Sequence, residues 1–220
     1  MPKSRKLPGG RAALLKPAWE PILLARKPLA GTIERNLAAN GTGALNTDAC
    51  RVEGRFPANV TLTHAPGCRS GRCAVGCPVR IIDDAAGRSR ASSRAAREAS
   101  RLFYCPKASR RERDAGCEAL PPRTLDLFPN AKHGRRPPPA TNPHPTVKPL
   151  ALMRWLVRVA VPDGGVVLDP FCGSGSTGCA AALEGRRFLG IELDTTYAEI
   201  ARARIAHWRR TAEAEGEDAA

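Results

Sequence analysis

The sequence predicts an α/β fold with a parallel sheet, and three observations in its last third carry that expectation. Apolar residues switch between helical spacing and short β-branched runs in the order helix, strand, helix, strand, helix. A glycine-rich turn joins the first strand to the next helix. Each strand runs out at an acidic residue, Asp169 and then Glu192.

Taken in order, residues 149–160 place Leu152, Met153, Leu156, Val157 and Ala160 at helical spacing, and Pro149 suits a first turn, where a missing N–H costs nothing. Pro162-Asp163-Gly164-Gly165 is a turn signal. Val166-Val167-Leu168-Asp169 reads as a buried parallel strand. A helix of small residues is expected over about 177–184, stopped by Gly185. Residues 187–192 read as the second strand. Thr196 and Glu199 suggest a capping box for a last helix, with Tyr197, Ile200, Ala201, Ile205 and Trp208 on one face. The acidic tail after Arg210 is expected to fray.

The front half is less regular. Short apolar runs at 19–26, 59–63, 79–82 and 102–105 are expected to be strands, with Pro21 placing the first at an edge or bulge. Residues 85–101 are an Ala/Ser/Arg tract in which Arg90, Arg94, Arg97 and Arg101 would share one face if helical; a linker without fixed structure is the other reading. Residues 121–145 are Pro-rich and read as an extended connector.

Charge divides the chain in the same place. The net charge is +14 over 220 residues, yet residues 1–143 carry +15 and residues 144–220 carry −1. Eighteen of the 20 prolines lie at or before Pro149. A one-sided basic field points to a polyanionic partner, usually nucleic acid. No apolar run approaches the roughly 18–20 residues of a membrane span, and no signal-type apolar stretch follows the basic N-terminus, so membrane and secreted classes are not expected.

The residues that carry chemistry are Asp169-Pro170-Phe171-Cys172-Gly173-Ser174-Gly175-Ser176-Thr177-Gly178, with Glu192 beyond. A strand ends in a carboxylate, small residues let a ligand approach the backbone, and a helix begins there with free N–H groups and a positive dipole end. Glu192 ends the next strand, where a carboxylate can accept ribose hydroxyls. Gly173 to Gly178 matches the G-x-G-x-x-G dinucleotide pattern. Asp169, however, would repel a diphosphate, and only about 40 residues follow Gly178, too few for a second mononucleotide half. A carboxylate beside the loop instead suits a ligand with a positive end, an ammonium or a sulfonium, and S-adenosylmethionine has both.

The motif 169–175 (DPFCGSG) resembles the cofactor motif of the amino-group DNA methyltransferases, which methylate adenine N6 or cytosine N4. His144-Pro145-Thr146-Val147-Lys148-Pro149 resembles the element that precedes it in the circularly permuted, β-type order. Gly190-Ile191-Glu192-Leu193-Asp194, with Tyr197, resembles the second cofactor motif. Lys16 to Ile22 is similar to a strand of the same enzymes, and Phe103 to Ser109 with Glu112-Arg113 to a segment of phage-type members. The resemblance implies a Rossmann-like, S-adenosylmethionine-dependent methyltransferase sheet acting on double-stranded DNA in the cytoplasm. It implies that Asp169, Pro170, Phe171, Gly173, Ser174, Gly175 and Thr177 line the cofactor. Glu192 would hold its ribose, and His144, Thr146 and Lys148 would close the pocket. Transfer would go to the amine of a base flipped from the duplex, with Arg90, Arg94, Arg97 and Arg101 gripping DNA.

The family's catalytic element, a polar residue followed by Pro-Pro and an aromatic (DPPY-like), is not found. Pro121-Pro122 is followed by Arg123, and Pro137-Pro138-Pro139 by Ala140. The catalytic residues are therefore unassigned, and the expectation is an incomplete sheet whose first strands and base-binding loop come from a missing N-terminal fragment or partner subunit. The organisation expected is an N-terminal strand segment (1–40), a basic Pro/Arg-rich insert or target-recognition region (41–143), a cofactor-binding α/β core (144–210) and an acidic flexible tail (211–220). Two rivals stay open: a non-catalytic DNA-binding remnant or subunit, and a nucleotide-dependent enzyme of another class. Of the eight cysteines, His64, Cys68, Cys73 and Cys77 are spaced His-x3-Cys-x4-Cys-x3-Cys. Free thiols are expected there, with a zinc set as the alternative, because the spacing lacks a C-x2-C pair. Cys172 and Cys179 are expected to pack, since N-methyl transfer needs no thiol nucleophile.

Overall fold

The computed structural model describes residues 21–51, 54, 62, 64–65, 68, 73–87, 107–123 and 140–217. The chain divides into two compact units, Met1–Gly43 and Ala44–Ala220. The expected runs at 59–63 and 102–105, the segment 16–20 and the four arginines of 90–101 lie largely or wholly outside the described residues.

In the first unit residues 21–26 carry no strand, contrary to expectation. Pro21 cannot donate to a ladder, and no described strand runs beside it. The ordered element is a helix instead, α1 (Ile33–Asn40). The Thr32 side chain accepts from the Arg35 amide to start it, and Gly41 ends it in the left-handed region at φ 65°.

The second unit is built around a β–α–β crossover. Strands β1 (Val166–Asp169) and β2 (Arg187–Gly190) pair in parallel, with Val166 opposite Arg187 and Asp169 opposite Gly190. Between them runs a helix, α5 (Ser176–Leu183). Among the described residues this is a two-stranded parallel sheet flanked by helices. α5 is a run of small residues, and Cys179, Ala180 and Ala181 are fully buried. That composition lets it lie between two larger helices, α4 (Leu150–Ala160) and α6 (Thr195–Glu217). Leu150, Val157, Cys179 and Ala180 form the core, with Met153, Val161, Val167, Leu183, Ile205 and Trp208 packed against it. The opposite face of the sheet is bare: Val166, Leu168, Leu189 and Ile191 are all more than half exposed.

Three expectations are corrected. Residues 79–82 are not a strand but part of a helix, α2 (Pro78–Gly87). Pro78 suits a first turn, and an Arg80–Asp84 pair at 3.2 Å spans i to i+4, so local chemistry outweighs the β-branched run. Thr196 and Glu199 do not form the cap of α6. Asp194 does, its Oδ1 accepting from the Thr196 amide at 2.8 Å and the Tyr197 amide at 3.1 Å. The tail does not fray at Arg210, because α6 runs on through alanines and glutamates to Glu217.

A short helix, α3 (Arg110–Asp114), is capped by Ser109, whose Oγ accepts from the Glu112 amide at 3.1 Å. Glu112 Oε1 in turn accepts the Leu150 amide at 2.6 Å and so holds the start of α4. At the other end, Glu184 receives Arg154 at 2.6 Å and Arg158 at 2.7 Å, locking α4 to the end of α5. Burial pushes the Glu184 carboxyl up, but the hydrogen bonds from Arg158 and Arg154 outweigh it and hold its pKa below 4.5. A carboxylate with a lowered folded pKa contributes stability that is whole above 4.5 and is lost as pH falls through the folded value. Glu184→Gln should therefore cost about 1–2 kcal/mol in urea melts at neutral pH, and the difference from the parent should shrink near pH 3.

Candidate functional site

The carboxyl ends of β1 and β2 build the site. After Asp169 the chain turns sharply, with the Asp169 carboxylate accepting the Phe171 amide at 3.1 Å. The Cys172 amide donates to the Ile191 carbonyl at 3.0 Å, so the loop continues the sheet for one more step. Gly173 then enters the left-handed region at φ 52° and donates its amide to Glu192 Oε2 at 2.8 Å. The other oxygen of Glu192 accepts the Asp194 amide at 3.0 Å. Each carboxylate oxygen is thus oriented by one backbone donor and keeps a second lone pair.

His144 closes over this turn. A Cβ on Gly173 would sit 2.7 Å from its Nε2, so only glycine admits the ring. Its edge meets Tyr197 with centroids 4.5 Å apart. The Thr146 amide donates to its Nδ1 at 3.3 Å, which places the proton of the neutral ring on Nε2. Behind it, buried Asn142 accepts the His144 amide and donates to the Arg113 carbonyl at 2.7 Å, while Arg113 donates to the His144 carbonyl at 2.8 Å. Burial holds the His144 pKa below 6.5; the Arg204 and Arg113 charges act the same way, against Glu192 and Asp194.

Beneath the loop lies a residue the sequence reading passed over. Arg204 of α6 is fully buried and donates to the Ser174 carbonyl at 2.6 Å, to the Ser174 Oγ at 3.3 Å and to the Ser176 Oγ at 3.4 Å. Its other nitrogen reaches the Glu112 carbonyl at 3.4 Å. The available signal was positional: 204 falls on the apolar face that 197, 200, 201, 205 and 208 define, where a charge has to be explained.

The expected cofactor residues are distributed as follows. Asp169, Gly173, Glu192 and His144 converge at the loop through these contacts. Phe171 is 89% exposed beside them, and Pro170 is exposed. Ser174 is buried with its hydroxyl turned to Arg204, and Gly175 caps α5 at φ 77° with no side-chain cap, Thr177 following in the first turn. Thr146 contributes its backbone to His144, and Lys148 stands just before the Pro149 that starts α4. Cys179 is fully buried, its thiol pushed up to about 11 by burial, and burial likewise raises Cys172. A cleft of about 510 Å³ lined by Gly178, Leu183, Arg187, Phe188 and Glu213 opens elsewhere and includes none of the expected cofactor residues. Separately, His64, Cys68, Cys73 and Cys77 are brought together.

A parallel β–α–β unit with a glycine turn at its carboxyl end and an oriented acid closing the next strand makes this an α/β protein with a small parallel sheet flanked by helices. Residues 2–203 match the model of the N6/N4 DNA methylase family, and the chain belongs to that family. Among curated relatives it is 45% identical over 62 residues to the type II methyltransferase M2.DpnII of Streptococcus pneumoniae, covering 28% of this chain and 23% of that one. It is 42% identical over 62 residues to the DNA adenine methyltransferase YhdJ of Escherichia coli (strain K12), covering 28% and 21%. The match therefore spans less than a quarter of either relative. A crystal structure of an M1.HpyAVI–SAM complex aligns at 35% identity over 37% of this chain and 43% of that one, with a TM-score of 0.29.

Two outcomes follow for this site. Gly173→Ala should destabilise the fold by about 2 kcal/mol or more in urea melts, from left-handed strain and the clash with His144. Protonating His144 removes the acceptor for the Thr146 amide. Its folded pKa is lowered, so its stability contribution is whole above 6.5 and lost as pH falls from there to the folded value. The His144 ring protons should titrate below 6.5 in an NMR series. A His144→Asn chain should lack the corresponding stability change.

Proposed function

We propose that the loop between β1 and α5 binds S-adenosylmethionine, and that the chain supplies the cofactor-binding part of a DNA methyltransferase acting on adenine N6 or cytosine N4. The observation that carries this reading is the Glu192 carboxylate held by the Gly173 amide, with a lone pair left on each oxygen for a ribose diol. Asp169 supplies a negative group on the same side for an ammonium or sulfonium, and the exposed Phe171 ring offers an apolar surface. The glycine at 173 lets the His144 ring close against the turn, and so would set one wall of the pocket. When bound, the cofactor supplies a methyl group on an electrophilic sulfonium. The work of this chain is to orient it and keep it from water. The family match and the relatives named DNA methyltransferases support the assignment.

The larger architecture follows as part of the same proposal. The two strands are the cofactor half of a Rossmann-like sheet. Parallel strands are ordinarily covered on both faces, and the exposed Val166, Leu168, Leu189 and Ile191 mark where further elements would pack. The base-binding, DPPY-like element would come from additional polypeptide, either an N-terminal fragment or a partner subunit. Lys148 and Thr146 would border the cofactor, and the basic region 41–143, with Arg90, Arg94, Arg97 and Arg101, would grip double-stranded DNA. No described helix is long and apolar enough to cross a membrane. The proposed enzyme would work in the cytoplasm, where its DNA substrate would lie.

Calorimetry tests the pocket. S-adenosylmethionine should bind the purified chain and NAD should not. Asp169→Ala and Glu192→Ala should each weaken binding by roughly tenfold or more, the loss of hydrogen bonds to a charged group. Thermal melts run alongside separate lost binding from lost fold. If both variants bind like the parent, the pocket is misassigned. Methyl transfer to DNA should be negligible for this chain alone and appear when a DPPY-bearing fragment is added, whereas full activity of the isolated chain would overturn the need for such a fragment. DNA binding should fall steeply as salt rises, since it rests on phosphate neutralisation.

A further inference from the structure

We propose that His64, Cys68, Cys73 and Cys77 form a closed, structural zinc site of Cys3His composition that organises the segment ahead of α2. The four ligand atoms all lie within 4.8 Å of one another. The Nδ1 of His64 is 3.4 Å from both the Cys73 and the Cys77 sulfur. With Zn–S near 2.3 Å and Zn–N near 2.0–2.1 Å, a tetrahedral site has N···S edges of about 3.6 Å and S···S edges of about 3.8 Å. The two N···S separations are close to that size and share a single histidine nitrogen, and the remaining ones stay within 4.8 Å. That nitrogen cannot donate to two sulfurs at once with its one hydrogen, so a cation between them accounts for the convergence better than hydrogen bonding does.

The donor set selects the metal class. Three thiolates and an imidazole suit zinc, whereas magnesium and calcium take oxygen ligands. Four protein ligands leave no open position, which marks a structural site rather than a catalytic one. The thiols of Cys68, Cys73 and Cys77 are unbridged, and pairing any two would strand the third. The Ala74 amide donates to the Cys68 sulfur at 3.2 Å, the kind of outer contact that orients a metal thiolate.

The location gives the site its task. Cys77 is fully buried and immediately precedes Pro78, and its carbonyl accepts the Ile81 amide at 2.9 Å in the first turn of α2. Among the residues of 62–87 whose side chains are described, Cys77 and Val79 are the buried ones, and Cys77 is itself a ligand. Metal binding would therefore add folding energy where the loop joins the helix. The inference rests on this cluster alone and does not depend on what the β1–α5 loop binds.

The test uses the full chain purified without chelator under oxygen-free, reducing conditions. Elemental analysis should find about one zinc per chain, and cobalt(II) exchanged into the site should give thiolate charge-transfer bands and intense visible bands of tetrahedral type. Cys73→Ser and Cys77→Ser should lose the zinc. His64→Cys should keep it, with added thiolate intensity in the cobalt spectrum, and remains informative should the serine variants fail to fold. Chelation should reduce helical circular dichroism by about the length of α2. Absence of stoichiometric zinc with a weak, octahedral cobalt spectrum would overturn the proposal, as would zinc retained unchanged when Cys73 and Cys77 are both serine.

Discussion

A guanidinium taken wholly out of water is costly unless its hydrogen bonds are replaced, and Arg204 sits at full burial with no carboxylate of the described residues paired to it. Its charge is met by oxygens that belong to other elements: the Ser174 carbonyl and hydroxyl, the Ser176 hydroxyl and the Glu112 carbonyl. The Ser174–Ser176 turn cannot shift without exposing that charge to an apolar surround, and neither can α3. The third nitrogen, Nε, finds no acceptor among the described residues. The arrangement is therefore not the most stable way to fill the space. What it provides is a fixed position for the loop, set from beneath by α6 and from the side by the segment that caps α4.

The rest of the site is consistent with that constraint. A loop pinned from below must still pass its neighbours closely, and the glycines mark where it does. A Cβ on Gly173 would strike His144, and one on Gly175 would come within 2.9 Å of Ala201. One on Gly178 would run into Ile205 and Phe188. Glycine costs helix stability at an interior position, yet at 178 the close packing of α5 between β2 and α6 leaves no alternative. From above, Glu192 ties the turn to the end of β2, each of its oxygens accepting one backbone amide. A carboxylate held in this way has little orientational freedom left to lose.

What could be read from the sequence was the part in which local pattern and tertiary burial agree. The small-residue helix after the glycines and the amphipathic α4 each carry a pattern that survives folding; the strand 166–169 forms where expected, but Val166 and Leu168 stand more than half exposed where burial was expected. The last helix was legible in its face, with Ile200 and Ala201 buried as the spacing required. Its cap was not, because Asp194 and Thr196 both suit such a position, and the choice depends on how Glu192 holds the Asp194 amide. The run 79–82 misled because its β-branched residues indicate a strand only when a partner strand exists. Arg204, Asn142 and Arg113 were invisible to periodicity, since their roles are hydrogen bonds between segments as many as 92 residues apart. The convergence of His64 with three cysteines was written in spacing, but not in a spacing that matches a known pair, so only geometry could bring the four together.

The two regions of the second unit consequently rest on different physics. Around α5 the near-neutral sequence buries alanine, leucine and valine in one continuous core, and ion pairs such as those of Glu184 only trim its edges. Ahead of it, around 64–87, the buried residues among those with described side chains are Cys77 and Val79. A segment of that composition keeps a defined shape when something other than a core closes it. A polyanion laid against its arginines would meet their charge, and a cation held by its sulfurs would close its loop. These two stabilisers act on opposite charges and at different atoms, so neither competes with the other. The glycine loop, by contrast, is fixed from within the chain by the hydrogen bonds of Arg204.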